Sequence, residues 1–547
     1  MKSFLDQLAF ALALATGLFV ILLAGVLGFN EVHGKISTLV NSRQVVRLHD
    51  ELRRQPKDET LKQHIRQLDL QLRQEIFYRL SLSHNATRAL LGGLVLFLLS
   101  AHWTRTRRQR SPDPLAWGAR KPEQERRNAR WAQVGVAAGI AFVALAAVLA
   151  APGRLPEPLP VEIPASDEEY QQAWPAFRGP TGAGNAADAN VTLPWTIRWK
   201  TPVPLPGMSS PVIWSNSVFL TGASATEDRV FRLDADTGKL LWSAVVPGPK
   251  PPAPKATDDT GLAAPTAVTD GRRVYALFPD GMVGAFDFTG KPVWSRNIGP
   301  LDNSYGYAAS PALYRDRLLI QIDRGDAEEG QSKLLALDTR TGRDFWEVKR
   351  PVAGSWTSPV IVARNGQPEL LTCANPFVIA YNPVDGAELW RVKCLSDDCA
   401  PSPVMVGNVV IAIAPNNAVF GVQPGTTNVL WRMDEGVPDA PSPVSDEQRC
   451  YFIDPNGLLT YLNAATGKSV WTQELGEHFY ASPTIAGGTL ILLSRKGVAQ
   501  LLATGESYRL LGKFEFGEEC NASPVPRGRR LYVRGKHNLF CVESAAK

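Results

Sequence analysis

The sequence predicts an all-β fold, an eight-bladed β-propeller, preceded by an α-helical membrane region with three transmembrane helices. Three observations lead there. A proline stands at 211, 265, 311, 359, 403, 443, 483 and 524, preceded by Ser in every case but the second, where Ala264 stands. By subtraction the steps are 54, 46, 48, 44, 40, 40 and 41 residues, and a period of this size with four short strands per unit marks a propeller. Gly238, Gly290, Gly342, Gly386 and Gly467 each lie four residues before a Trp, at 242, 294, 346, 390 and 471. The third observation is an orphan strand, Trp195–Thr201, ahead of the first unit, matched by an eighth unit that stops one strand short after Asn538–Val542. Pairing the two closes the ring and removes two exposed sheet edges.

Within a unit the reading runs as follows for residues 440–471. A Ser-Pro pair opens a short apolar run, then come Cys450–Ile453, Leu458–Leu462, a turn at Ala464–Gly467 and a last strand ending in Trp471. The turn Gly supplies positive φ. Trp199, Trp242, Trp294, Trp346, Trp390, Trp431 and Trp471 are the expected structural anchors between blades. Two units depart: Gly425 precedes Trp431 by six residues, and Leu510-Leu511 stand where the seventh unit should carry Trp.

Residues 1–151 read as the membrane region. Leu8–Phe29 is uncharged and long enough to span a bilayer, with a cleaved signal peptide as the rival reading. Residues 30–86 are polar with helical spacing (Leu61, Ile65, Leu68, Leu72, Ile76, Leu80) and fit an external helical pair or a solvated spacer. Residues 87–104 and 131–151 are the second and third expected spans. Between them the loop 105–130 carries nine Lys or Arg against Asp113, Glu123 and Glu125. The positive-inside rule puts this loop in the cytoplasm and the propeller on the periplasmic or extracellular side of the cell (inner) membrane, as a multi-pass protein. The local excess of six exceeds the whole-chain net charge of +5, so the rest is near neutral and no nucleic-acid partner is expected. Residues 152–172 form a Pro-rich linker, and 173–547 the propeller.

The segment Ala336-Leu-Asp-Thr-Arg-Thr-Gly-Arg-Asp-Phe-Trp346 resembles the tryptophan-docking motif of the pyrroloquinoline quinone (PQQ) propellers, and Trp174–Pro180 resembles the opening segment of a group of PQQ-like repeat proteins. The resemblance covers roughly residues 173–543. It is similar also to the outer-membrane assembly factors of the BamB type, eight-bladed propellers that bind a protein partner. That resemblance implies a membrane-anchored, non-catalytic protein-binding scaffold, with envelope or outer-membrane protein assembly as its setting. The alternative it implies is a membrane-bound PQQ-dependent dehydrogenase of alcohols or sugars, with PQQ and calcium as cofactors. Against the enzyme stands the lack of two adjacent cysteines: the six lie at 373, 394, 399, 450, 520 and 541. No calcium triad is recognisable, so neither catalytic nor metal-binding residues are assigned and no cofactor is expected.

Residues before each Ser-Pro should ring the channel mouth. Tyr307, Trp356, Asp439, His478, Tyr480 and Asn521 are the candidate partner-binding residues, since aromatics with acids around a hole suit a peptide or small ligand. The other reading is that they fill the funnel. Cys394 and Cys399 bracket one connection between units, and a disulfide or two buried thiols both fit.

Overall fold

The computed structural model describes residues 165–545 except 253, 447 and 448. Ahead of them it describes residues 15–25, residues 92–100 and a few single positions. The chain divides into two compact units, Met1–Ile163 and Pro164–Lys547.

The second unit is the expected ring. Four antiparallel strands make each blade: blade 1 is β3–β6 (residues 212–245), blade 2 β7–β10 (268–297), blade 3 β11–β14 (312–349) and blade 4 β15–β18 (360–393). Blade 5 is β19–β22 (404–433), blade 6 β23–β26 (444–474) and blade 7 β27–β30 (484–515). Blade 8 joins β31–β33 (525–544) to β2 (Trp195–Pro202), in the order β2-β33-β32-β31. Closure by the orphan strand therefore holds, with Thr196 opposite Glu543 and Trp199 opposite Cys541. Blade 7 gains a fifth strand, β1 (Asn185–Ala186), parallel to β27 (Thr484–Ala486).

The core sits between blades. Eight buried apolar clusters each join one blade to the next, including Val230 with Phe286 across blades 1 and 2, and Val533 with Leu501 across blades 8 and 7. The tryptophans complete these seams. In each outer strand a β-bulge falls just before the Trp register, as between Pro292 and Trp294, and turns the indole toward the following blade. Trp199 Nε1 donates to Ala235 O, Trp242 to Phe288 O, Trp294 to Thr339 O, Trp346 to Val384 O, Trp431 to Ala464 O and Trp471 to Gly505 O.

Two seams differ. Trp390 donates instead to Glu369 Oε2 of its own blade at 2.8 Å, and Arg364, bound to that same carboxylate, covers Gly425 of the irregular blade 5 turn. In blade 7 the Trp register belongs to Gly512 rather than Leu510-Leu511. Leu193, from the segment before β2, fills the space its side chain would need.

Residues 167–172, expected to end an extended linker, form a short helix, Asp167–Gln172, with Ser166 and Glu169 as a reciprocal capping box. Of the first unit, residues 15–25 and 92–100 are helical. Among the described residues no helix is long and apolar enough to cross a membrane. The expected third span (131–151) and the basic loop 105–130 lie outside the described residues, as do most of the pair 30–86 and parts of the other two spans.

Candidate functional site at the propeller axis

Every Ser-Pro pair converges on the axis. Each register residue donates its backbone N–H to the side-chain hydroxyl of the next blade: Ser210 to Thr266, Thr266 to Ser310, Ser310 to Ser358, Ser358 to Ser402, Ser402 to Ser442, Ser442 to Ser482, Ser482 to Ser523, and Ser523 back to Ser210. All eight bonds measure 2.9–3.1 Å and all are buried. The ring corrects one sequence assignment. In blade 2 the register residue is Thr266, followed by Ala267, so Pro265 stands two residues early. Position in the ring demands a hydroxyl, and the proline after it is dispensable.

The eight hydroxyl-bearing residues floor a chamber of about 540 Å³. On the far side a strap, residues 174–187, crosses the end of the channel. It pairs Trp174 with Ile213 in blade 1, gives Pro175 O to Thr269 N in blade 2, and gives Gly184 O to Ile485 N in blade 7. Phe177, on this strap, reaches the chamber from below. Arg178 holds the strap in place: its Nη2 donates to Ala183 O and to Pro443 O of blade 6. It has no carboxylate partner and is only 3% exposed, and burial pushes its guanidinium down to about 9.

The mouth is built from the connections between blades. Trp356, Asp439, Tyr480 and Asn521 line the chamber as the sequence suggested, together with Tyr305 and Asp398. Trp356 is fixed by its Nε1 bond to Gly306 O at 2.7 Å and packs on Tyr305 with ring centroids 5.3 Å apart. Two named residues are elsewhere. Tyr307 is 2% exposed, its hydroxyl donating to Gln321 O inside blade 3's seam, because it follows the apolar phase of the incoming segment. His478 is exposed beside Pro455 O at 3.0 Å and does not line the chamber.

The sequence reading missed the loop from blade 1 to blade 2. It reaches over the mouth with Thr257, Asp259 and Thr260. Asp259 accepts from the Tyr480 hydroxyl at 3.2 Å and from Arg495 at 2.8 Å, while the Arg495 guanidinium lies 4.6 Å from the Tyr480 ring centroid. Lys250 pins the loop's base between Asp228 and Asp280. The longest step of the repeat, 54 residues, was the signal available for it.

Asp259, Asp398 and Asp439 face the chamber, and among the described residues no Lys, Arg or His lines it. The carboxyl of Asp398 is held above the usual range by burial, then by the negative charges of Asp397 and Asp439. Nearby, Arg350 and Asp323 form a fully buried pair in the blade 3–4 seam and spend their charges on each other. Cys394 and Cys399 are both free thiols, as are the other four. Cys399 is packed into the blade 4–5 cluster with its Sγ toward Ser396 O and Asp397 O, so the disulfide option is not realised. Among the described residues no group of three or more His, Cys, Asp or Glu is placed to hold a metal ion.

Comparison with known proteins agrees with this architecture. A family profile described as outer membrane protein assembly factor BamB matches residues 196–321, 330–445 and 416–507. The outer membrane protein assembly factor BamB of Bordetella pertussis is 22% identical over 335 residues, covering 58% of this chain and 77% of that protein. The corresponding protein of Legionella pneumophila is 23% identical over 234 residues, covering 43% of this chain and 50% of that one. Among solved structures a europium-containing methanol dehydrogenase superposes with a TM-score of 0.55 at 10% identity, over 69% of this chain and 99% of the enzyme, which shows a shared fold. With its eight closed blades and the profile matched over more than half its length, the chain belongs to the family described as outer membrane protein assembly factor BamB.

Proposed function

We propose that the propeller is a non-catalytic scaffold of the cell envelope that binds a protein partner at its chamber mouth and serves outer-membrane protein assembly. The observation that carries this is the lining of the axial chamber. It offers aromatic faces at Trp356, Tyr305 and Tyr480, the residue types that anchor interfaces. Among the described residues it offers no cation to meet an acidic cofactor. PQQ carries three carboxylates, and walls bearing Asp398 and Asp439, neither of them ion-paired among the described residues, oppose it electrostatically. These residues do not fit that cofactor, which supports the scaffold over the dehydrogenase. Replacing the exposed Tyr305 together with Tyr480 by Ala should reduce partner capture in a membrane crosslinking pull-down at least tenfold, each anchor contributing about 1–3 kcal/mol, with the melting temperature as the folding control. Trp356, 8% exposed, is too deeply packed to be truncated without a loss of stability. Undiminished capture by the double variant would refute the assignment of this face.

The same proposal keeps the chain at the inner membrane. On helix 15–25 Leu18, Ile21 and Leu22 are exposed, and on helix 92–100 Val95, Leu98 and Leu99 are. The two helices meet through small residues, Gly17 against Phe97 and Gly93 against Phe19, so their aliphatic side chains face outward. Lipid would cover such a surface, and close approach at glycine is a common membrane packing device. Thiol labelling from outside the cell should reach a cysteine placed at Ser166 and miss one at Ser111; the reverse pattern would overturn this orientation.

A further inference from the structure

The scaffold reading leaves open what the partner inserts, and the chamber's chemistry narrows it. We infer that the chamber receives a lysine or arginine side chain carried on an extended segment of the protein partner. This rests on the scaffold reading and adds the chemistry of the docked group.

Four observations converge. Asp398 and Asp439 line the chamber and neither forms an ion pair among the described residues, so two carboxylates stand ready for a cation. Asn521 lines it too, with a buried Oδ1 that accepts no hydrogen bond. The molecule also shows a cation recognised here: Arg495 lies over the Tyr480 ring and donates to Asp259, an aromatic face and a carboxylate acting together. Elsewhere on the ring Trp356 packs on Tyr305 and bonds Cys399 O, beside Asp398, and among the described residues no guanidinium lies on that aromatic pair.

Size and access select the kind of ligand. A volume of about 540 Å³ holds a long side chain with its neighbouring backbone and excludes a folded domain. The strap crosses the far end, bonded to blades 1, 2 and 7, whereas the aromatic side chains and carboxylates stand at the mouth, so the ligand is placed at the mouth. An extended segment satisfies both conditions, and its basic residue would place its alkyl stem between aromatic walls with its charged head at the carboxylates.

The test uses the purified full-length chain in detergent. Fluorescein-labelled acetyl-Gly-Gly-Lys-Gly-Gly-amide, its Arg, norleucine and Glu counterparts, and unlabelled butylamine as competitor are compared by anisotropy. The Lys and Arg peptides should bind, the norleucine and Glu peptides at least tenfold more weakly. The double variant Asp398→Asn with Asp439→Asn should lose about tenfold or more, with Asp439→Asn alone as the fallback if the pair impairs folding. Glu328→Gln, an exposed carboxylate on blade 3, should change nothing. Equal binding of the norleucine or Glu peptide, unchanged binding by the Asp variants, or butylamine competing as strongly as the peptide would each overturn the inference. Partner capture separates the two readings: if the carboxamide variants still capture partner in the crosslinking experiment, the basic segment is refuted and the scaffold stands. If wild type captures none, the scaffold itself falls.

Discussion

Gly342 in the blade 3 turn lies flat against the indole of Trp294 in blade 2, so close that a Cβ on the glycine would stand 2.6 Å from the ring. The backbone there has φ of +69°. The sequence places Gly342 four residues before Trp346, yet the tryptophan it serves belongs to the preceding blade. Gly342→Ala would combine a left-handed conformation with a clash against a ring held by its bond to Thr339 O. The expected cost is about 2–3 kcal/mol, read as a fall in the urea midpoint without a change in slope. Gly366, also at positive φ but with open space around it, is the control, and Gly366→Ala should cost clearly less.

The hydroxyl ring makes a sharper forecast about chemistry than about size. Ser442→Ala removes the acceptor of the buried Ser402 N–H and should cost about 1–3 kcal/mol. Ser442→Thr keeps the hydroxyl and should restore most of that stability, since Thr266 already fills the same place in blade 2. Equal loss in both variants, measured by chemical denaturation, would assign the effect to packing instead of the bond.

Asp228 gives the fold a pH dependence. Burial, opposed by Lys250 and reinforced by the negative charge of Asp280, lifts its carboxyl to about 7. A folded chain that holds this proton more tightly than an unfolded one, where the carboxyl titrates near its ordinary value, is most stable at low pH. It loses that share of stability as pH rises from about 4 to about 7, at no more than about 1.4 kcal/mol per unit of pH. Asp228→Asn removes the titration while leaving Lys250 its partner Asp280, so urea midpoints taken from pH 4.5 to 7.5 should fall less steeply in the variant. An unchanged slope would mean that other groups set the pH dependence.

The blade count, the closing strand and the tryptophan register were legible because they are periodic and local: a fixed spacing of Gly, Trp and Ser survives in one dimension. What failed was aperiodic. Pro265 misled because the proline was counted where the ring selects the hydroxyl of Thr266. Gly512 was invisible because the side chain that occupies its seam, Leu193, comes from more than 300 residues upstream. Tyr307 and Trp356 look alike as aromatics ahead of a Ser-Pro pair. One follows the buried phase and bonds Gln321 O; the other faces the chamber, and only the path of the two connections distinguishes them. Asp259 lies in a loop with no counterpart in other units, so no repeat could announce it.

The ring of hydroxyls has one link unlike the rest. Seven join consecutive blades, and the eighth runs from Ser523 to Ser210, 313 residues apart, beside a sheet whose β2 and β33 strands meet across a similar distance. A chain emerging in order from the ribosome can therefore stack one blade on the next yet cannot complete the hydroxyl circle until Ser523, nor the sheet circle until β33, has been made. Until then blade 1 presents an open seam, and the array stays easier to unravel than the finished ring. Both circles therefore hold the propeller against unravelling only once the segment 195–210 has met residues 523–544.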